Sequence, residues 1–454
     1  MKAKHTDLEK LEQLYKESGN QLVVLYGRRG CQKEELIKEF CDGKKFFYYR
    51  CRQASPEHQL EMMGEEISRQ YKVSLSRQTY EEYFARIKSG DPSKLVVIID
   101  EAQFVAKRDA SFMEAVAKLK KHKLYPGPVL IILATSSTVW ATQEAAEQFK
   151  GAKMKIESLN FLEVVRHFES LPVAEIVRIY GAIGGVPAYL DKWDAAKSFK
   201  DNICRLVLTP SGALYGEADA VISSELRELS AYSTILAAIA RGENKLNDIF
   251  HATGFSRAKI SVYLKNLATF NIVEKVVSFE TGGWENAKKG VFVYVLNCDI
   301  IFKIFVNFWF KFVYPNMSNL YLLSPEEFYD TYIEKELDAY LERYFREVCT
   351  EYLLILNQMG QLPFTIKRVG TWIGKTGRID IVAQSEDRRS IIGFCNWDKP
   401  MMTMDMCENM AMAMDQARLT SDDYYLFSAT DFEPALQSYV VRDPRFKLIN
   451  MNEL

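Results

Sequence analysis

Residues 22–34 read Leu22-Val23-Val24-Leu25-Tyr26-Gly27-Arg28-Arg29-Gly30-Cys31-Gln32-Lys33-Glu34. An apolar, β-branched run closes on glycine, and a helical pattern, Lys33–Cys41, follows at once. This is the context of the phosphate-binding loop GxxxxGK[ST], with Gly27 and Lys33 at template spacing. At those positions Lys33 reaches a β- or γ-phosphate, and the helix turns its N–H groups and positive dipole end toward the same anion. Two positions depart from the template. Gln32 replaces the second glycine and adds a Cβ where backbone must approach phosphate closely. Glu34 replaces the Ser or Thr whose hydroxyl ligates Mg²⁺; its carboxylate could touch a metal, yet it also sets a negative charge beside the phosphates.

Outward from this loop, Leu95–Asp100 (LVVIID) is a continuous apolar run closing on Asp100-Glu101. Such runs suit strands buried on both faces of a parallel sheet. In a nucleotide site Asp100 holds the Mg²⁺ shell and Glu101 orients or deprotonates the attacking water; an ordinary strand-end turn accounts for the same acids. Val129–Ala134 (VLIILA) precedes Thr135-Ser136-Ser137, which could present a hydroxyl to the γ-phosphate or cap a helix. Strands alternating with helices predict a doubly wound α/β domain. The three elements in this order indicate phosphate-loop ancestry without showing that hydrolysis survives.

The 454 residues exceed one hydrophobic core, so two to four domains are expected. An apolar fraction of 48% supplies their cores, and a net charge of −2 leaves nucleic-acid contact to a local patch. The first 19 residues are charged and amphipathic, and no apolar run reaches the roughly 18 residues of a membrane helix, which predicts a cytoplasmic protein without membrane contact. The eight cysteines stand singly, and His5, His58, His122, His167 and His251 are far apart, so free thiols and no zinc site are expected. The methionine-dense segment Met401–Met414 reads as a packing face.

Beyond residue 160 the pattern turns helical, punctuated by GAIGGVP. The expected division is a phosphate-loop core at 1–160, a helical lid at 161–225, a winged helix at 226–300, a helical connector at 301–335 and a last α/β block at 336–454. Residues 226–300 give helices at Tyr232–Arg241, Leu246–Thr253 and Ser256–Phe270, then a hairpin. Arg257, Lys259 and Lys265 on the third helix, with Lys288 and Lys289 in the wing, could neutralise DNA phosphates. Protein packing is the equal alternative, since 9 Lys and Arg face 7 Asp and Glu there. The last block predicts a helix from Glu334 and strands around Phe364–Val369, Ile379–Ala383, Ser390–Asn396 and Tyr424–Ser428.

Together LYGRRGCQKEELIKEF, VVIIDEAQF, ILATSS, YGAIGGVPAYL, LTPSGALYGEADAVISSEL, FWFKFVYPN and YYLFSATDF, in this order, resemble the archaeal and bacterial P-loop ATPases. That group is related to the AAA+ and STAND classes and carries a C-terminal restriction-endonuclease-like domain of unknown function. The resemblance covers nearly the whole chain. It implies ATP and Mg²⁺, with Gly27, Arg28, Arg29, Gly30, Cys31, Gln32, Lys33, Glu34, Glu35, Asp100 and Thr135 around the nucleotide, Asp100 and Glu34 on the metal, and Glu101 as the catalytic group. The family loop usually reads like GRRRxGKT, so hydrolysis is in question at Gln32 and Glu34. The family's nuclease pattern places an acid after Phe on a helix, an acid at "ID", and G-E-x-K-W. Here the residues are Phe345-Arg346, Arg378-Ile379-Asp380 and Gly393-Phe394-Cys395-Asn396-Trp397. Only Asp380 survives, as a residual solvated acid, and one carboxylate cannot assemble a two-acid metal site. The block also holds 13 Lys and Arg against 18 Asp and Glu, which suits a protein partner better than DNA. The function expected is therefore a nucleotide-dependent switch with weak or absent hydrolysis. The alternative is a non-catalytic scaffold, or a DNA-binding regulator acting through the winged helix.

Overall fold

The computed structural model describes residues 5–73, 78–87, 93–121, 127–149, 151–226, 228–270, 272–276, 278–279, 291–294, 301–374 and 377–453. The chain is a multidomain α/β protein that divides into two compact units, Met1–Glu157 and Ser158–Leu454.

The first unit is built on five strands, β1 (Gln21–Tyr26), β2 (Phe46–Arg50), β3 (Leu95–Asp100), β4 (Val129–Thr135) and β5 (Ala152–Lys155). They lie in the order β2-β3-β4-β1-β5, and each neighbouring pair is parallel. Side chains alternate across a strand, so each run feeds two cores. Val23, Leu25, Val96, Ile98, Leu130 and Ile132 pack with Leu11 of α1 (His5–Lys16) and with Leu36, Ile37 and Phe40 of α2 (Lys33–Phe40). Leu22, Val24, Val97, Ile99, Ile131 and Leu133 pack on the opposite face with Met63 and Ile67 of α3 (Pro56–Tyr71), Phe84 of α4 (Tyr80–Arg86), and Phe112 and Val116. Burying each such side chain is worth about 1.5–3 kcal/mol, so the continuous apolar runs hold β1, β3 and β4 at the centre.

The helix starts show which ends the local sequence closes. Ser55 caps α3 before Pro56, and Thr79 and Glu82 form a capping box on α4. At α2 the N-cap is Gln32, which makes no side-chain capping bond. In this parallel sheet the ends of β1, β2, β3 and β4 bring Gly27, Arg50, Asp100 and Thr135 to one carboxyl edge, where ligands of open α/β sheets bind.

The second unit has a large core drawn from Leu159 to Met451 and a smaller one that includes Ile379, Val382, Ile392, Met410, Met414 and Leu426. Its helices include Phe161–His167, Val173–Ile183 and the long Glu334–Gln358. The expected three helices appear as Leu229–Ala240, Leu246–Thr253 and Arg257–Thr269, followed by antiparallel β6 (Val273–Val276) and β7 (Val291–Tyr294). Lys288 and Lys289 lie outside the described residues. The C-terminal mixed sheet contains β8 (Arg368–Ile373), β9 (Arg378–Gln384), β10 (Ser390–Asn396), β12 (Asp423–Ser428) and β14 (Phe446–Asn450), in the order β14-β12-β10-β9-β8. Short β11 (Met401–Met402) and β13 (Asp431–Phe432) pair beside it. The strand expected around Phe364–Val369 begins later, at Arg368. The Asn357 side chain accepts from the Ile366 N–H at 2.8 Å and donates to its carbonyl at 3.4 Å, which takes that backbone out of the ladder. In the methionine-dense helix Met404–Ala417, Met410 and Met414 face the core and Met412 is exposed. Among the described residues no helix is long and apolar enough to cross a membrane.

Candidate phosphate-binding site

Gly27 leaves β1 with its N–H donated to the Thr135 carbonyl at 3.3 Å. A Cβ added here would meet the Ile156 carbonyl oxygen at 2.4 Å, so any side chain at this position would force backbone to shift. Gly30 has φ 84°. Gln32, the departure from the template, has φ 62° and ψ 23°. The chain therefore keeps the left-handed turn that glycine adopts without cost and imposes it on a side chain, at about 1–2 kcal/mol. The glycine conformation survives here although the glycine does not.

Lys33 is buried and folds back on its own loop, with Nζ donating to the carbonyls of Gly27 at 2.5 Å and Arg28 at 2.8 Å. Burial pulls its ammonium below the ordinary lysine value, against the opposing pull of Cys31, Glu101 and Asp100. To meet a phosphate, Lys33 must exchange these carbonyls for the anion. Glu34 and Glu35 occupy the exposed first turn of α2, where they complement the helix dipole and compete with an incoming anion.

The acid pair is held in two different environments. Asp100 is buried; its Oδ2 accepts from the Tyr48 hydroxyl at 2.8 Å and its Oδ1 from the Glu101 N–H at 2.9 Å. Burial raises its carboxyl above the usual range, while Tyr48 and Arg50 oppose that rise. Glu101 has φ 50°, an uncommon conformation of the kind that collects at functional sites. Its Oε2 accepts from Gln103 Nε2 and from the Ser136 hydroxyl, both at 2.6 Å. Burial would raise Glu101 too, but these bonds and the charge of Lys33 outweigh it and hold the carboxylate below its ordinary value. The two neighbouring carboxyls are thus pushed in opposite directions, Asp100 up by burial and Glu101 down by its hydrogen bonds and Lys33. Thr135 is fully buried, and its hydroxyl donates to Gln103 Oε1 at 2.5 Å. Of the Thr135 and Ser136 hydroxyls, it is that of Ser136 that reaches Glu101.

Sequence reasoning overlooked Tyr48, Arg50 and Gln103; it named Ser136 only within the Thr135-Ser136-Ser137 hydroxyl run. Arg50 matters most: its Nη1 lies 2.8 Å from Glu34 and its Nε 3.5 Å from Asp100. The two acids assigned to Mg²⁺ thus share a guanidinium, and both oxygens of Asp100 are engaged. Mg²⁺ in a nucleotide site takes one or two protein carboxylates and completes its octahedron with waters and phosphate oxygens. With Arg50 on both Glu34 and Asp100, this arrangement does not offer those carboxylates to the ion.

The C-terminal acid is also paired. Asp380 is buried, which corrects the expectation of a solvated carboxylate. It lies 3.0 Å from Arg346 Nε and 2.9 Å from Arg378 Nε, and it accepts from the Cys395 N–H at 3.1 Å. Glu342 completes the cluster, 2.6 Å from Arg378 and 3.3 Å from Arg346. Arg346, standing where the family pattern has an acid, supplies a permanent cation instead. On the helix Arg257–Thr269, Arg257, Lys259 and Lys265 are exposed. Arg257 donates to Asn247 at 2.9 Å and lies over the Phe250 ring, and Lys259 lies over Phe255.

Residues 4–193 match the family described as an ATPase domain predominantly from Archaea. The N-terminal part of this chain is an archaeal-type ATPase domain. Residues 309–411 match a second family, archaeal and bacterial proteins of unknown function. An uncharacterized protein of Methanocaldococcus jannaschii is 24% identical over 400 residues, covering 86% of both chains. Solved structures similar to this chain include a Walker-type ATPase of Pyrococcus abyssi, at 16% identity over 67% of this chain and 96% of that one, with a TM-score of 0.46. The Aeropyrum pernix Orc1 protein in complex with DNA is 14% identical over 70% of this chain and 94% of that one, with a TM-score of 0.35. Within the ATPase domain, the loop, the acid pair and Arg50 all lie in the first compact unit.

Proposed function

We propose that this protein is an ATP-binding switch of the archaeal ATPase class in which hydrolysis is slow or absent. The observation that carries this reading is the loop at the end of β1. It retains Gly27, the left-handed turn at residue 32 and a lysine at the start of α2, yet it sets Glu34 where a hydroxyl is needed. Arg28 and Arg29 add charge for the phosphates, and Glu101 is the group available to orient water. Occupancy of the loop would change the state of the chain beyond residue 157. Lys33→Ala should weaken ATP binding at least tenfold in calorimetry, as expected for loss of a charge-assisted contact of about 1.5–3 kcal/mol. Unchanged affinity would remove the site assignment.

A second reading places a winged helix at 226–300, because Arg257, Lys259 and Lys265 are exposed along one helix whose N-cap is Ser256. The partner would be DNA. Fluorescence anisotropy with duplex DNA should show salt-sensitive binding that falls in an Arg257→Ala/Lys259→Ala variant; an unaltered variant would remove that interface. The C-terminal sheet is read as an inactive nuclease-like scaffold, available to a protein partner, because Arg346 and Arg378 neutralise Asp380. Plasmid cleavage with Mg²⁺ or Mn²⁺ should remain at background.

A further inference from the structure

Arg50 ends β2 directly opposite Asp100, its register partner across β2 and β3. Its guanidinium bridges Glu34 and Asp100, the two carboxylates that phosphate-loop chemistry would give to a divalent metal. Tyr48 and the Glu101 N–H take up the rest of the Asp100 carboxylate. A metal could take these two carboxylates only by displacing Arg50 from both.

Resting on the nucleotide-binding reading above, we propose that Arg50 takes the place of the metal, and that the ligand of this site is a nucleoside polyphosphate free of divalent cation. The side chain suits the role. It stands at the carboxyl edge of the sheet with Gly27, Asp100 and Thr135, and it is 46% exposed, so part of its donor fork faces solvent. A guanidinium carries five N–H donors in a planar fork that matches phosphate oxygens and is never deprotonated. Glu34 is 59% exposed and can swing away as phosphate replaces it on Arg50. Without Arg50, Glu34 and Asp100 lose their shared cation, and a divalent ion becomes the natural replacement.

The test is ATP binding to the full chain by calorimetry, in EDTA and in millimolar MgCl₂, for wild type, Arg50→Ala and Arg50→Lys. Wild-type affinity should agree within about threefold between the two conditions. Arg50→Ala should lose about tenfold or more in EDTA, the loss expected for one charge-assisted contact, and recover part of it with MgCl₂. Arg50→Lys, which keeps the charge without the fork, should fall between them. Thermal melting checks that each variant folds. If wild type binds only with Mg²⁺, or if Arg50→Ala matches wild type in EDTA, the role of Arg50 is overturned while nucleotide binding stands. If wild type binds under neither condition, both fall.

Discussion

Gln32 and Gly27 are the two positions where the loop after β1 is most constrained by its backbone. At Gln32 the left-handed conformation persists under a side chain. Gln32→Gly removes strain of about 1–2 kcal/mol but adds chain entropy of about 0.5–1 kcal/mol. Its melting temperature should therefore stay within a few degrees of wild type. Its ATP affinity should rise several-fold as backbone gains access to phosphate. A lower affinity in Gln32→Gly would show that the glutamine side chain itself contacts the ligand. At Gly27 the constraint is a carbonyl 2.4 Å from any added Cβ. Gly27→Ala should cost about 1–3 kcal/mol, the usual range for overpacking, measured by urea denaturation. A neutral result would mean that the Ile156 segment moves freely. The template spacing singled out Gly27 and Lys33, and the apolar run closing on two acids singled out Asp100 and Glu101. Arg50 and Tyr48 were not legible, because their approach to Asp100 depends on how β2 registers against β3, which no local pattern records.

At the scale of elements, the buried strands of both units could be read from continuous apolar runs. β14 was missed because Phe446–Asn450 is short and only half-buried. The C-terminal acid shows a different failure. Arg346 reads as the loss of a family acid when taken alone, yet on the long helix it stands over β9 and pairs with Asp380. Removing one partner of a buried pair costs about 3–5 kcal/mol, and Arg378 remains to compensate, so Arg346→Ala should destabilise by roughly half that range. No loss on denaturation would mean that the pair is dispensable. The same cluster sets an acid limit. Burial would raise Glu342, but the bond and charge of Arg378, followed by Arg346, hold it below the ordinary glutamate value. A carboxylate depressed on folding contributes stability above its unfolded value, about 4.3, and loses it as pH falls through the folded one. Melting temperature should therefore fall below about pH 4.3, and less steeply in Glu342→Gln than in wild type. Parallel curves would exclude Glu342 from the acid response.

Across the whole molecule, both carboxylate centres are closed by arginine: Asp100 with Glu34 by Arg50, and Asp380 by Arg346 and Arg378. Glu101 remains ionised and hydrogen-bonded beside the loop, so any residual hydrolysis should depend on it. Glu101→Gln should abolish whatever phosphate release is detected while leaving ATP affinity within about threefold, since it removes a transition-state contact alone. The most direct measurement combines ATP calorimetry with phosphate release on one preparation of the full chain. The account predicts saturable, near-stoichiometric binding with phosphate release at or barely above background. Absence of binding at millimolar ATP, or turnover at the roughly 1 s⁻¹ or faster of ordinary enzymes, would contradict it.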